Sequence, residues 1–211
     1  MRTKTQKIRV ADASQHAKVV LQVMSDYARR RSSLSVAALA GSGQFVEWQH
    51  YPSRDAVDGD RGSEFYYHTH SRSERPGDEH GHFHVFARPR RSDRFHHLVA
   101  ISLNHRGLPN RLFLTNQWVT GENWIESARV RPLLARFDCQ LSGRLSPVSR
   151  WITGMLHLYA DDIQRLHEER DRWHMRQQRG SLSNRHLSDR RWHVLAQRPI
   201  DIARRLSQVL N

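Results

Sequence analysis

Between Glu64 and Ala87 the sequence alternates with a period of two, and histidine occupies one phase of that alternation. In "EFYYHTH" (residues 64–70), His68 and His70 share a phase with Glu64 and Tyr66, whereas Phe65, Tyr67 and Thr69 take the other. In "HGHFHVFAR" (residues 80–88), His80, His82 and His84 share a phase with Phe86, opposite Gly81, Phe83 and Val85. Successive side chains of a β-strand point to opposite faces of its sheet. The pattern therefore predicts two strands, each with an apolar face for packing and an imidazole-lined face. A loop containing Pro76 and Gly77 joins them, so they read as an antiparallel hairpin.

A second hairpin is expected from "HHLVAISLNH" and "RLFLTNQWVT", joined by the turn "RGLPN". "QFVEWQHY" also alternates, with Val46, Trp48 and His50 in one phase, and reads as a strand; Pro52 to Gly62 is polar and turn-rich and reads as a loop. Helical spacing appears on both sides of this β-rich region. Val19, Val20, Val23, Met24 and Tyr27 fall on one helix face. Asn123 is placed to cap "WIESARVRPLLARF", which Pro132 must interrupt or kink. Ser146-Pro147 is a helix start, and Val148, Ile152, Met155, Tyr159, Ile163 and Leu166 then form a stripe spaced by threes and fours. The charged run "HEERDRWHMRQQRGS" beyond the stripe should project into solvent or meet another chain. In "RWHVLAQRPIDIARRLSQVL" a short element, a break before Pro199 and a terminal helix close the sequence.

The expected architecture is α+β: an antiparallel sheet of four or five strands (two hairpins, residues about 64–120), packed with an N-terminal helix and C-terminal helices, one of them long and starting near 147. Connections this short favour a single domain over residues 1–211, with a histidine-rich β-sheet module at about 44–122 and a helical region at about 123–211.

Paired on one sheet face, His68, His70, His80, His82 and His84 are candidate metal ligands. Directly opposed residues of a hairpin lie about 4.5–5.5 Å apart. Neutral imidazoles at that spacing can converge on one first-row ion and leave positions open for water or substrate. With no cysteine nearby, the ion is expected to be a divalent transition metal, Zn or Fe foremost, with Mn, Ni and Cu also compatible. Glu79 is the candidate catalytic carboxylate, as a ligand or a base; Glu64 is its alternative as a ligand. Tyr66, Asn104, Asn116 and Trp118 are candidates for a substrate pocket. His96 and His97 point to opposite faces, so at most one can join the cluster. Gly81, on the reverse face, would admit a close backbone approach. The competing reading of the histidines is a polar, hydrogen-bonded patch without metal.

The formal charge of +13 and a sequence pI near 11.1 point to polyanionic partners such as nucleic acid. Of the 34 basic residues, however, only Lys4, Lys7 and Lys18 are lysines and 31 are arginines, an excess that GC-rich coding also produces. A non-catalytic basic protein, binding nucleic acid or a protein partner through "RPRRSDR" (residues 88–94) and the charged end of the long helix, is thus the alternative to a metal-dependent oxygenase or hydrolase acting on a small molecule. The long helix could equally serve a homo-oligomer. The single Cys139 excludes an intramolecular disulfide framework and reads as a small buried hydrophobe. No apolar run approaches a membrane span, and "MRTKTQKIRV" lacks a signal-peptide core. A soluble cytoplasmic protein is the expectation.

The strand setting of the histidines is similar to that of cupins, but the spacing departs from the cupin pattern and the flanking helices are too many for a plain barrel. The segments "FYYHTHSRSERPGDEHGHFHVFARP" and "HHLVAISLNHRGLPNRLFLTNQWVTGENW" resemble those of an uncharacterised bacterial family with a Tyr-His-x-His segment followed by Glu-His-Gly-His-Phe-His. That resemblance covers roughly residues 60 to 125. It implies no known activity, only that the histidines belong to a recurring module.

Overall fold

A computed structural model describes residues 4–88, 94–178 and 184–211, with side chains from residue 12 onward. Six strands form one antiparallel sheet whose spatial order follows the chain: β1 (Tyr51–Asp58), β2 (Ser63–His68), β3 (Glu79–Ala87), β4 (His96–Asn104), β5 (Pro109–Thr115) and β6 (Val194–Pro199). The β2–β3 and β4–β5 pairs are the two hairpins that the alternation predicts, and β3 joins them by pairing with β4.

The two strands beyond the expected sheet are its edges. β1 occupies the stretch that reads as a loop, and "QFVEWQHY" is irregular up to Tyr51. Trp48 sits at φ 68°, a left-handed conformation that ends any extended run there. β1 is polar because it pairs only with β2, through an irregular register between Tyr51 and Ala56, and an edge position tolerates its Pro52. At the other edge β6 pairs only with β5 and ends at Pro199.

One face of the sheet is apolar and carries the core. Phe65, Tyr67, Phe83, Val85, Val99, Ile101, Leu103, Leu112 and Leu114 are buried there with Trp151, Ile152 and Met155 of α5 (Ser146–Leu158). α1 (Lys4–Arg29) packs on α5 through Ala17, Val20 and Val23. Gly154 allows that approach, since a Cβ there would lie 2.6 Å from Val20 Cγ2. Short helices α2 (Leu34–Ala38), α3 (Gln117–Thr120) and α4 (Val130–Arg136) fill the connections. Pro132 lies in the first turn of α4, where a missing N–H costs nothing, so the helix starts late rather than kinking. Asn123 caps no helix; its side-chain oxygen accepts from the Phe95 amide.

All six residues of the long stripe are buried, but the helix is divided. α6 (Ala160–Gln178) follows α5 after Tyr159, whose φ −113° and ψ 19° bend the axis while the hydrogen-bond ladder continues from Ile163 to the Tyr159 carbonyl at 2.8 Å. The charged end of α6 does not project freely. His167, Arg170 and Trp173 are buried, and His167 Nε2 bonds the Leu98 carbonyl of β4 at 2.8 Å. Arg198 of β6 reaches Asp162 and Glu169 on the flank of α6. α7 (Ile202–Leu210), capped by Asp201, closes the fold. No helix among the described residues is long and apolar enough to cross a membrane.

Candidate metal centre

Strand register builds two rows of side chains across the face opposite the helices. His68 pairs with His82, His82 with Ser102, and Ser102 with Arg111. Beside that row, Tyr66 pairs with His84, His84 with Ala100, and Ala100 with Phe113. Two irregularities then alter what strict alternation would place there. His80 is an extra residue in β3, since Glu79 opposes Asn104 and Gly81 opposes Leu103. This bulge turns Glu79 onto the histidine face and His80 away from it. His80 Nδ1 instead meets the Tyr67 hydroxyl at 2.8 Å, and its ring packs on Phe45. In β4, Leu98 is the extra residue, so His97 opposes Phe86 and joins the histidine face.

His68, His82 and His84 are brought together as a buried group whose ligand atoms all lie within 4.8 Å of one another. The Nε2 atoms of His68 and His82 are 2.7 Å apart, and those of His82 and His84 are 3.1 Å apart. Half-buried His70, just past the end of β2, adds a fourth, with its Nε2 3.3 Å from that of His68. Two nitrogens each ~2.0–2.1 Å from one ion stand about 2.9 Å apart at a right angle and about 3.4 Å apart at the tetrahedral angle. The observed spacings fall close to that range.

Hydrogen bonding alone does not satisfy this arrangement. His82 Nδ1 lies 2.9 Å from Glu79 Oε1, which fixes the proton on Nδ1 and leaves Nε2 with a single lone pair. Two imidazole nitrogens crowd that one lone pair. A shared cation would accept all of them.

Glu79 is buried and bonded through both oxygens. Its Oε2 accepts from Ser102 Oγ at 2.6 Å and from Arg111 at 2.5 Å. Burial opposes its charge, but the bonds from His82, Ser102 and Arg111 outweigh that and hold the carboxyl down at about 2. His84 Nδ1 is 3.0 Å from His97 Nε2, and the His97 backbone amide donates to Glu122, which is paired with buried Arg170. Burial first, then the neighbouring imidazoles, push His68 and His84 well below the ordinary histidine value and His70 to about 4. All three are therefore neutral at neutral pH, as ligands must be.

Glu64, the alternative carboxylate, is taken by Arg88. Tyr66 flanks the cluster, stacked on His50 with ring centroids 3.7 Å apart, and His50 is held by Asp55 at 3.0 Å. The remaining pocket candidates lie elsewhere. Asn104 closes the β4–β5 turn by accepting from the amides of Arg106 and Leu108. Asn116 caps α3, which replaces the expected end of the strand, and Trp118 donates to the Trp192 carbonyl. Cys139 is buried, and burial pushes its thiol up to about 11. Residues 89–93 of the basic linker lie outside the described residues.

Over the cluster lies a cavity of about 490 Å³, lined by His70, His82 and His84, by Arg75 and Arg111, and by Phe113, Thr115, Val119 and Val194. Arg111, Phe113 and Thr115 share one phase of "RLFLT", but only the pairing of β5 with β4 brings them to the site, and that pairing is not visible in their own segment. Arg75 carries no periodic signal, because it sits in the β2–β3 loop.

Fold and site together define an α+β protein whose antiparallel sheet carries a buried three-histidine group able to hold a metal ion. The chain belongs to the family described as a domain of unknown function, DUF6969, whose model matches residues 14–200. No curated protein and no solved structure matches it.

Proposed function

We propose that this protein is a mononuclear metalloenzyme that uses His68, His82 and His84, with His70 at hand as a fourth ligand, to hold a divalent ion against a small-molecule cavity. The observation that carries this reading is the crowding of imidazoles around His82 Nε2, whose lone pair the Glu79 contact leaves facing the cluster. The ligand set also bears on the reaction. A two-histidine, one-carboxylate set is the signature of non-haem iron oxygenases, whereas three neutral histidines are typical of catalytic zinc. Glu79 stands behind His82, and Glu64 is paired with Arg88, so neither supplies a carboxylate to the ion. Zinc-dependent hydrolysis of a small molecule is the better fit, and Glu79 is a positioning residue rather than the base. A divalent ion in such a set acts as a Lewis acid and lowers the pKa of a bound water.

Elemental analysis of untagged protein, beside a His82→Ala/His84→Ala double variant, tests the reading. About one equivalent of a single metal is expected in the wild type, with loss from a variant that still gives a folded circular-dichroism spectrum. A wild type that carries no metal and takes up none of Zn, Fe, Mn, Ni, Co or Cu overturns it.

A further inference from the structure

The cavity wall contains two polar groups that the protein leaves unmatched. Thr115 is buried, and its Oγ1 has no hydrogen-bond partner among the described residues. Arg75 reaches the His80 carbonyl through NH1 at 3.3 Å, while its Nε is buried without a partner. A buried donor without a partner is costly, more so when it is charged. The other charges of the wall are compensated or peripheral: Arg111 pairs with Glu79, and exposed Glu74 accepts from the Ser71 hydroxyl at the rim. Arg75 thus has no carboxylate partner among the described residues, beside a ligand set made only of neutral imidazoles, which would leave the full charge of a divalent ion uncancelled. Across the cavity, Phe113, Val119 and Val194 offer apolar surface. The volume is within the ~300–1,000 Å³ of small-molecule sites.

We propose that this cavity binds a small organic carboxylate, its charged end between the histidine cluster and Arg75, with Thr115 donating to it and its apolar part against Phe113, Val119 and Val194. The assignment rests on the metal reading above and names the substrate class for it. An anion there answers both the spare guanidinium and the uncancelled charge of the ion, and a neutral polar ligand answers neither.

The test uses protein loaded with Co(II), whose visible absorption reports a ligand at the ion. Benzoate and hexanoate are titrated against benzamide and hexanamide. The carboxylates are expected to perturb the spectrum saturably and the amides not to. Arg75→Gln and Thr115→Val should each weaken benzoate at least tenfold at unchanged cobalt content, since neither residue is a ligand. Cobalt uptake with no response to either carboxylate overturns the carboxylate assignment and leaves the metal reading standing. So does an equal response to the amides or to inorganic phosphate, or unchanged benzoate affinity in Arg75→Gln. Failure to take up cobalt or any of the other metals named above overturns both.

Discussion

At the scale of single residues, the proposed role of Glu79 rests on what its oxygens touch. One faces His82 Nδ1, and the other accepts from Ser102 and Arg111, so three of its roughly four lone-pair sites are taken within the protein. The proposed positioning role acts through His82, by fixing the tautomer and raising the basicity of Nε2. Glu79→Gln keeps a carbonyl for His82 but removes the charge and the Arg111 ion pair. Metal affinity, measured by competition with a chromogenic chelator, is expected to fall about 10–100-fold in Glu79→Gln. Unchanged affinity would mean that the carboxylate does not tune the site. The sequence makes Glu79 visible as a carboxylate near histidines, but strict alternation sends its side chain to the reverse face. Only the bulge at His80 brings it round.

At the scale of elements, most of the fold can be read from the period-two alternation, and its exceptions lie where pairing departs from it. β2, β3 and the β4–β5 hairpin are half-buried strands with one apolar face, so their pattern shows. β1 and β6 pair on one side only; β1 is largely polar, and the run at residues 194–196 of β6 marks a short element without the alternation that would identify a strand. A bulge is a property of two strands together, which is why His80 reads as a ligand and His97 only as an alternative to His96. Gly81, next to the bulge, is a position where the hairpin leaves no room for a side chain. A Cβ there would lie 2.5 Å from the His68 carbonyl oxygen and 2.7 Å from the Tyr67 hydroxyl. Backbone is the obstacle, so Gly81→Ala must move β2 against β3, and with it His68 against His82. Overpacking of this kind costs about 1–3 kcal/mol. Gly81→Ala is expected to lower both the melting temperature and the metal affinity, whereas Gly77→Ala, in a loop with open space around it but at φ 60°, should lower stability alone. Thermal melts paired with chelator competition separate the two effects.

For the whole molecule, the buried imidazoles make stability depend on pH. His84, His97 and His167 are fully buried, and burial lowers all three, His97 to about 3; His68 and His70 are lowered as well. A histidine whose folded pKa lies below its unfolded value of about 6.5 binds protons more readily in the unfolded chain. The stability it contributes is therefore whole above about pH 6.5 and is lost as the pH falls from there towards the folded value. Glu122 works in the opposite sense. Burial pushes it up to about 7 against the pull of Arg170, so between about pH 4.3 and 7 the folded state holds the extra proton, and the contribution of this group declines as pH rises. Five lowered histidines oppose that one glutamate, and a fully neutral buried imidazole changes stability by up to about 1.4 kcal/mol per pH unit. The melting temperature of metal-free protein should accordingly fall steeply from pH 6.5 to 4.5. A bound ion stabilises the folded state by mass action, about 2.7 kcal/mol at a free concentration of 100 Kd, and acid weakens its binding because the ligands must be deprotonated. At about 2–4 °C per kcal/mol for a chain of this size, the metal-loaded protein should melt roughly 5–11 °C higher at neutral pH, with the gap closing on acidification. Scanning fluorimetry from pH 7.5 to 4.5, with and without zinc, reads both curves. A metal-free curve flat down to pH 5 would show that the cluster takes up protons in place and is not held neutral by burial.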